Sequence, residues 1–356
     1  MESQPLLPAP PSEQDSEFWV RLRRRLVLLF WVSYAVMCAV AVVLVMRSYE
    51  APPTNSWYQR RVLCSYLDLP EGNHTDLRRS IRGASLLGCG GVLLRMADMR
   101  SSARNLVTEG HKYDIRILLD FVLSEETNRS QEQTVKDAVR RWIQDGVSGF
   151  SLSGGHREAL MTVVESLEEE LDGVRGDERI VLLPDWLGEE AAINKSRFLR
   201  TRPVRDWKPW EANQSSEVMK TAWEVSYLTA PELQFMAVTL PGTIKLSLSQ
   251  THPPPSWLRP LLLLRHQNPA LYAGWLQTLS ENSTHNVLSH WGCSTLLIAI
   301  NPSNQSQVFP LHLPNYTASA KLLFSTQRGH NGGKMAEDGV LLAPREAQLL
   351  RLTPQK

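Results

Sequence analysis

The chain has 356 residues, 42% of them hydrophobic and 21% charged, which excludes wholesale disorder and allows about two domains with cores of their own. Lysine and arginine number 38 against 37 acids. No global field therefore favours nucleic acid or acidic polymers, and nucleic acid is not an expected partner.

Residues 1 to 18 are rich in Pro, Ser, Glu and Gln and read as a disordered tail, with the tail segment as a whole running over 1 to 25. Residues 26 to 46, "LVLLFWVSYAVMCAVAVVLVM", hold no charged side chain across 21 positions. As a helix rising about 1.5 Å per residue they span the roughly 30 Å of a bilayer's hydrocarbon. The lack of a polar face argues against a buried core helix, and the 25 residues ahead of the run argue against a cleaved signal peptide. Arg21, Arg23, Arg24 and Arg25 precede the span and only Arg47 follows it. That asymmetry keeps the N-terminus cytoplasmic and places the rest outside, a single-pass type II arrangement. Within the span Ala35, Cys38 and Ala39 form a small-residue face that another helix can approach closely.

Residues 47 to 56, "RSYEAPPTNS", are a stalk, because Pro52 and Pro53 forbid continuing the helix. Beyond it the Asn-X-Ser/Thr glycosylation pattern occurs at Asn73, Asn128, Asn194, Asn213, Asn282, Asn304 and Asn315, and nowhere before the span. Seven acceptors on one side fit a glycosylated ectodomain. Outside the span there are three cysteines, Cys64, Cys89 and Cys293. They cannot all pair internally, so the leftover is either a free thiol or a bridge to another chain, for which membrane-proximal Cys64 is best placed.

Short apolar runs then recur, each compatible with a buried parallel strand: "VLCSYLDL" (62 to 69), "GGVLLRMADM" (90 to 99), "YDIRILLDFVL" (113 to 123), "GVSGFSLS" (146 to 153), "RIVLLPDWL" (179 to 187) and "MAVTLPGTIKLSL" (236 to 248). Between them, "QEQTVKDAVRRWIQDG" puts Val135, Ala138, Val139, Trp142 and Ile143 on one helical face, and 156 to 172 does the same with Leu160, Val163, Val164, Leu167 and Leu171. Alternating strands and helices imply an α/β fold with a parallel sheet covered by helices. Its closure is a (β/α)8-type barrel, over residues 57 to 284. Residues 62 to 248 fall short of the roughly 200 that such a barrel needs, so the barrel is expected to be trimmed or distorted. The tightest region is 187 to 235, where only "MKTAWEVSYL" reads as a strand. From 285 to 356, strands separated by Pro, Asn and Gly turns predict a C-terminal antiparallel β-sandwich.

Three stretches, "AVRRWIQDGVSGF" (138 to 150), "FMAVTLPGT" (235 to 243) and "LLFSTQRG…GVLLAPREAQLLRL" (322 to 352), resemble the glycoprotein heavy chains of heteromeric amino-acid transporters, solute carrier family 3. The resemblance implies an ectodomain like the α-amylase type of glycosidase, with a catalytic carboxylate at the fourth strand in a Gly-Phe-Arg-X-Asp pattern. Here that frame reads Gly149, Phe150, Ser151, Leu152, Ser153, so Ser151 stands at the arginine position and Ser153 at the nucleophile. A serine cannot replace that carboxylate, because the retaining reaction builds its glycosyl ester on it. Asp120 keeps the third-strand aspartate, but Ser124 and Glu125 stand where Asn and His would. Asp185 falls near the general acid of the fifth strand, and no His-Asp pair occurs around 217 to 235. "SLSGG" is no Gly-X-Ser-X-Gly nucleophile elbow either.

These departures predict no enzyme. The nine histidines show no metal-ligand spacing, so neither metal nor cofactor is expected. The resemblance implies instead a plasma-membrane partner subunit that binds a multi-spanning amino-acid transporter light chain and supports its surface expression. Family heavy chains hold the light chain through a stalk cysteine ahead of the aromatic pair that matches Trp57 and Tyr58. This stalk has none, so either Cys64 substitutes or the association is noncovalent, which is the favoured reading. The alternatives are a membrane-anchored glycosidase or glycosyltransferase and a carbohydrate-binding or adhesion ectodomain.

Overall fold

The computed structural model describes residues 13–48, 57–66, 74–95, 102–123, 129–172, 179–187, 198–204, 221–226, 228–249, 251–281, 284–291, 294–309, 316–327 and 339–354. The chain divides into two compact units, Met1–Pro52 and Pro53–Lys356.

Among the described residues the first unit is one helix, Glu13–Ser48. Its stretch Phe18–Ala41 is long and apolar enough to cross a bilayer. Ser33, a polar group inside that stretch, donates its hydroxyl to the Phe30 carbonyl at 2.9 Å and so carries no unmet hydrogen bond. The helix starts earlier than expected: residues 13 to 18, read as disordered tail, are helical. No Pro or Gly falls between Pro11 and Pro52, and Glu, Leu and Arg are good helix formers that extend the turn pattern back from the apolar run.

In the second unit eight parallel strands close into a barrel in sequence order: β1 Leu63–Tyr66, β2 Gly91–Arg95, β3 Arg116–Leu123, β4 Gly149–Gly154, β5 Ile180–Pro184, β6 Phe198–Pro203, β7 Thr221–Ser226 and β8 Thr243–Leu248. The helices His74–Leu87, Arg104–Lys112, Arg129–Gln144 and Arg157–Asp172 cover its first half. Directly after β5 the backbone makes a 3-10 turn, Asp185–Leu187.

The strands read as continuous apolar runs because both their faces are buried. Val92, Leu94, Ile117 and Leu119 point outward to the helices, while Leu63, Leu93, Leu118, Ile180, Leu182, Leu199 and Ala222 fill the interior. Tyr58, with Trp57 packed beside it, plugs the interior cluster from the N-terminal end of the strands. Gly91 makes room for the plug, since a Cβ there would sit 3.1 Å from the Trp57 ring and 2.9 Å from Leu118. Arg116 stacks over the Trp57 ring at 4.9 Å.

Beneath the barrel, Arg265 of the Leu258–Gln267 helix is 1% exposed. Its Nη1 donates to the carbonyls of Val238, Leu240 and Leu271, and its Nη2 to those of Gln59 and Gly242. Burial pushes the guanidinium down, to about 9, while the carbonyl oxygens favour its charge, so it stays protonated at neutral pH. One side chain thereby joins the plug, the entrance of β8 and two helices.

The C-terminal part is a five-stranded antiparallel sheet in the order β13-β15-β11-β10-β9, with a two-stranded sheet of β12 and β14. Its strands are β9 Trp275–Glu281, β10 Thr284–Trp291, β11 Ser294–Ile300, β12 Gln307–Phe309, β13 Tyr316–Ser325, β14 Val340–Leu342 and β15 Ala347–Pro354. Leu288, Leu297, Leu322 and Leu350 face Phe309, Val340 and Leu342 of the small sheet. The opposite face, with Val287, Leu296, Ile298, Phe324 and Leu349, belongs to the same core as the barrel's outer layer. Phe324 stacks on Phe235 at 6.2 Å, and Arg345 pairs with the buried Glu232 at 2.7 Å across the same junction.

Four expectations need correction. The C-terminal sheet starts at Trp275, not at 285, because β9 pairs with β10; its polar, Trp- and Gln-bearing sequence carried no strand signal. Residues 236 to 239 are not strand: the helix Pro231–Thr239 precedes β8, and its all-round burial erases the helical period. The Pro241–Gly242 turn, with Gly242 at φ +97°, separates the two. The strand β6, with its two arginines, was not foreseen. Finally, Cys64 does not reach another chain. It points out of β1 and pairs with Cys89 at a Cα–Cα separation of 6.1 Å, fully buried. Cys293 lies outside the described residues.

Candidate functional site

Barrel enzymes carry their chemistry where the strands end, and here the inward-facing residues change character along each strand. Leu93 and Leu118 are followed two residues later by Arg95 and Asp120, and Ala222 by Glu224. Because β2 pairs in register with β3, Arg95 lies opposite Asp120, and their side chains meet at 3.1 Å. Glu224 lies opposite Lys245 on β7 and β8 and meets it, also at 3.1 Å. Ser247 Oγ donates to Glu224 Oε1 at 3.2 Å.

The four charged groups line a cavity of about 310 Å³, with Ser65, Tyr66, Leu93 and Ser153 completing the wall. Burial pushes the Tyr66 phenol up to about 12, so it remains neutral.

The sequence-derived positions sit as follows. Ser153 reaches this cavity, but its hydroxyl donates to the Phe121 carbonyl at 3.2 Å. Ser151 is buried between the strands, in register with Asp120 and Leu182. Asp120 is part of the mouth. Asp185 heads the turn after β5, is not among the cavity's lining residues, and is held by Arg202 Nε at 2.6 Å. Ser124 and Glu125 lie outside the described residues. Glu224, Lys245 and Arg95 were missed by sequence reasoning; the signal was the two-residue alternation from Ala222 and Leu93, usable only once the inward register is known.

Among the described residues no group of three His, Cys, Asp or Glu is placed to hold a metal. Asn304 is exposed, its Oδ1 accepting from Arg345 Nε at 2.9 Å. Asn73, Asn128, Asn194, Asn213, Asn282 and Asn315 lie outside the described residues. Ala35, Cys38 and Ala39 are exposed on one face of the N-terminal helix.

No family model matches the chain. It is 23% identical over 295 residues to the amino acid transporter heavy chain SLC3A2 of Rattus norvegicus, covering 63% of this chain and 54% of the relative. It is 26% identical over 169 residues to the same protein of Mus musculus, covering 37% of this chain and 32% of the relative. The chain thus spans about half, or less, of the curated relatives it matches. Among solved structures, an isomaltulose synthase mutant from Erwinia rhapontici in complex with sucrose superposes with a TM-score of 0.64 at 11% identity, covering 85% of this chain and 100% of that one. An Anoxybacillus α-amylase gives a TM-score of 0.58 at 12% identity, covering 85% and 99%. The chain therefore has an amylase-like barrel fold and a distant sequence similarity to transporter heavy chains.

Proposed function

We propose that the chain is a non-catalytic, single-pass type II membrane glycoprotein that associates with a multi-spanning amino-acid transporter light chain and supports its presence in the plasma membrane. The observation that carries the non-catalytic part is the state of the mouth. Retaining glycoside chemistry needs a carboxylate nucleophile and a second carboxyl about 5–5.5 Å away that gives up a proton. Here the nucleophile position is Ser153, its hydroxyl bonded to a backbone carbonyl. Asp120, Glu224 and Asp185 are each engaged by a cation, Arg95 at 3.1 Å, Lys245 at 3.1 Å and Arg202 at 2.6 Å.

The association with a light chain is supported by the similarity to SLC3A2, which is named an amino acid transporter heavy chain. Orientation is supported by the arginines ahead of the span, and the external glycosylated side by the acceptor asparagines. One apolar helix offers no transport path of its own, so transport would belong to the partner. Contact through Ala35, Cys38 and Ala39 is noncovalent in this reading, because Cys64 is consumed by Cys89.

Affinity purification from gently solubilised membranes, with and without reductant, tests this. The expected result is a multi-spanning transporter recovered equally in both samples, and its absence from both overturns the reading. The amylase-like fold favours a second reading, an enzyme acting on α-glucosides. Turnover of such substrates by the purified protein would establish that one instead.

A further inference from the structure

Around the barrel the strand order β7, β8, β1, β2, β3 places the mouth's charges in the sequence Glu224, Lys245, Ser65, Arg95, Asp120. The strands that carry the two cations thus flank the strand of Ser65, which is in register with Ser247 and Leu93, and a carboxylate stands outside each cation. All five groups line one cavity of about 310 Å³, at the small end of the roughly 300–1,000 Å³ range of ligand pockets. Leu93 supplies an apolar floor, while the Tyr66 ring turns outward towards Gly83 of the covering helix.

We infer that this cavity binds a small zwitterion, an α-amino acid with an apolar side chain. Its carboxylate would sit over Ser65 between Lys245 and Arg95, the two cations in the row. Its ammonium, one carbon away, would reach the carboxylate of Glu224 or Asp120, and its side chain would lie on Leu93. Among the described residues the cavity's charges sum to zero, so a net anion meets two flanking carboxylates and a net cation two flanking ammonium or guanidinium groups. Only a ligand carrying both signs is matched at each point. The inference is independent of the partner-subunit reading, which stands or falls on co-purification.

The test uses the full chain in lipid nanodiscs and titrates leucine as the probe, by calorimetry or ligand-observed NMR. Saturable binding is expected. N-acetyl-leucine, which lacks the ammonium, and leucine methyl ester, which lacks the carboxylate, are each expected to bind at least about ten-fold more weakly, the cost of one charge-assisted hydrogen bond. Lys245→Gln is expected to abolish binding. Ser65→Ala, which leaves both ion pairs intact, is expected to weaken it several-fold without changing the melting temperature. No saturable leucine binding, equal binding of either analogue, or displacement of leucine by maltose at lower concentration overturns the inference.

Discussion

At the mouth of the barrel Arg95 faces Asp120 and Lys245 faces Glu224, each cation beside an anion on the neighbouring strand. At the other end Arg265 has no carboxylate among the partners described for it, and five backbone carbonyls surround its guanidinium. Of the upper pairs, Arg95–Asp120 is open to water on one side, its arginine half exposed, whereas Lys245 is mostly covered. At the open pair the attraction is screened and adds little. The lower arginine is sealed, and the carbonyls it satisfies have no water to turn to. Charge at the mouth thus lines a cavity in ion pairs between side chains, whereas charge at the base ties backbone carbonyls together.

The sharpest way to break that contrast is Arg265→Met. It keeps volume but leaves the carbonyls of Val238, Leu240, Gly242, Leu271 and Gln59 unpaired, and is expected to cost about 3–5 kcal/mol in denaturant unfolding. Next is Cys64→Ser, which opens the bridge to Cys89 across a separation of 25 residues. About 3 kcal/mol is expected from the lost loop closure, with no change in the size of partner complexes on non-reducing gels. At the mouth, Asp120→Asn removes an ion pair whose arginine is half exposed. It should cost about 1 kcal/mol or less in the same assay, and a loss as large as that of Arg265→Met would erase the distinction between the ends.

The smallest effect is one of pH. His266, next to Arg265 at the base, titrates below the ordinary histidine value because of burial and the neighbouring Arg61 and Arg60, with Asp114 opposing them. Its stability contribution is therefore complete above about 6.5 and is lost as pH falls through the folded value, because the unfolded chain takes up the proton first. Unfolding midpoints measured from pH 7.5 to 5 should fall, and His266→Gln should flatten that slope.

Much of this architecture was legible from the sequence because buried parallel strands are written as continuous apolar runs. Leu93, Leu118 and Phe150 each lie in a run that was found. What stayed hidden was structure without such a run. The strand β6 interrupts its apolar residues with Arg200 and Arg202, and β9 alternates around Gln277 with a half-exposed Trp275. The site divided in the same way. Ser153 and Asp120 were found by their frame on two strands, whereas Glu224 and Lys245 acquire meaning only from a register between strands that no local pattern encodes. Cys64 was misjudged because its nearness to the stalk in sequence outweighed its outward position on β1, next to Cys89.

The plug at the base has a mechanical consequence. Trp57 and Tyr58 are the first described residues of the second unit, and they sit beneath Leu63 and Leu118 within the interior cluster. Any force that arrives along the chain from its N-terminal side is delivered to the middle of the barrel and not to a surface loop. Arg265, gripping the Gln59 carbonyl at 3.0 Å, acts as the latch on that load path. In a single-molecule pulling experiment from residue 56, the barrel should rupture as a body, and loosening the latch should lower the rupture force before it changes anything at the mouth.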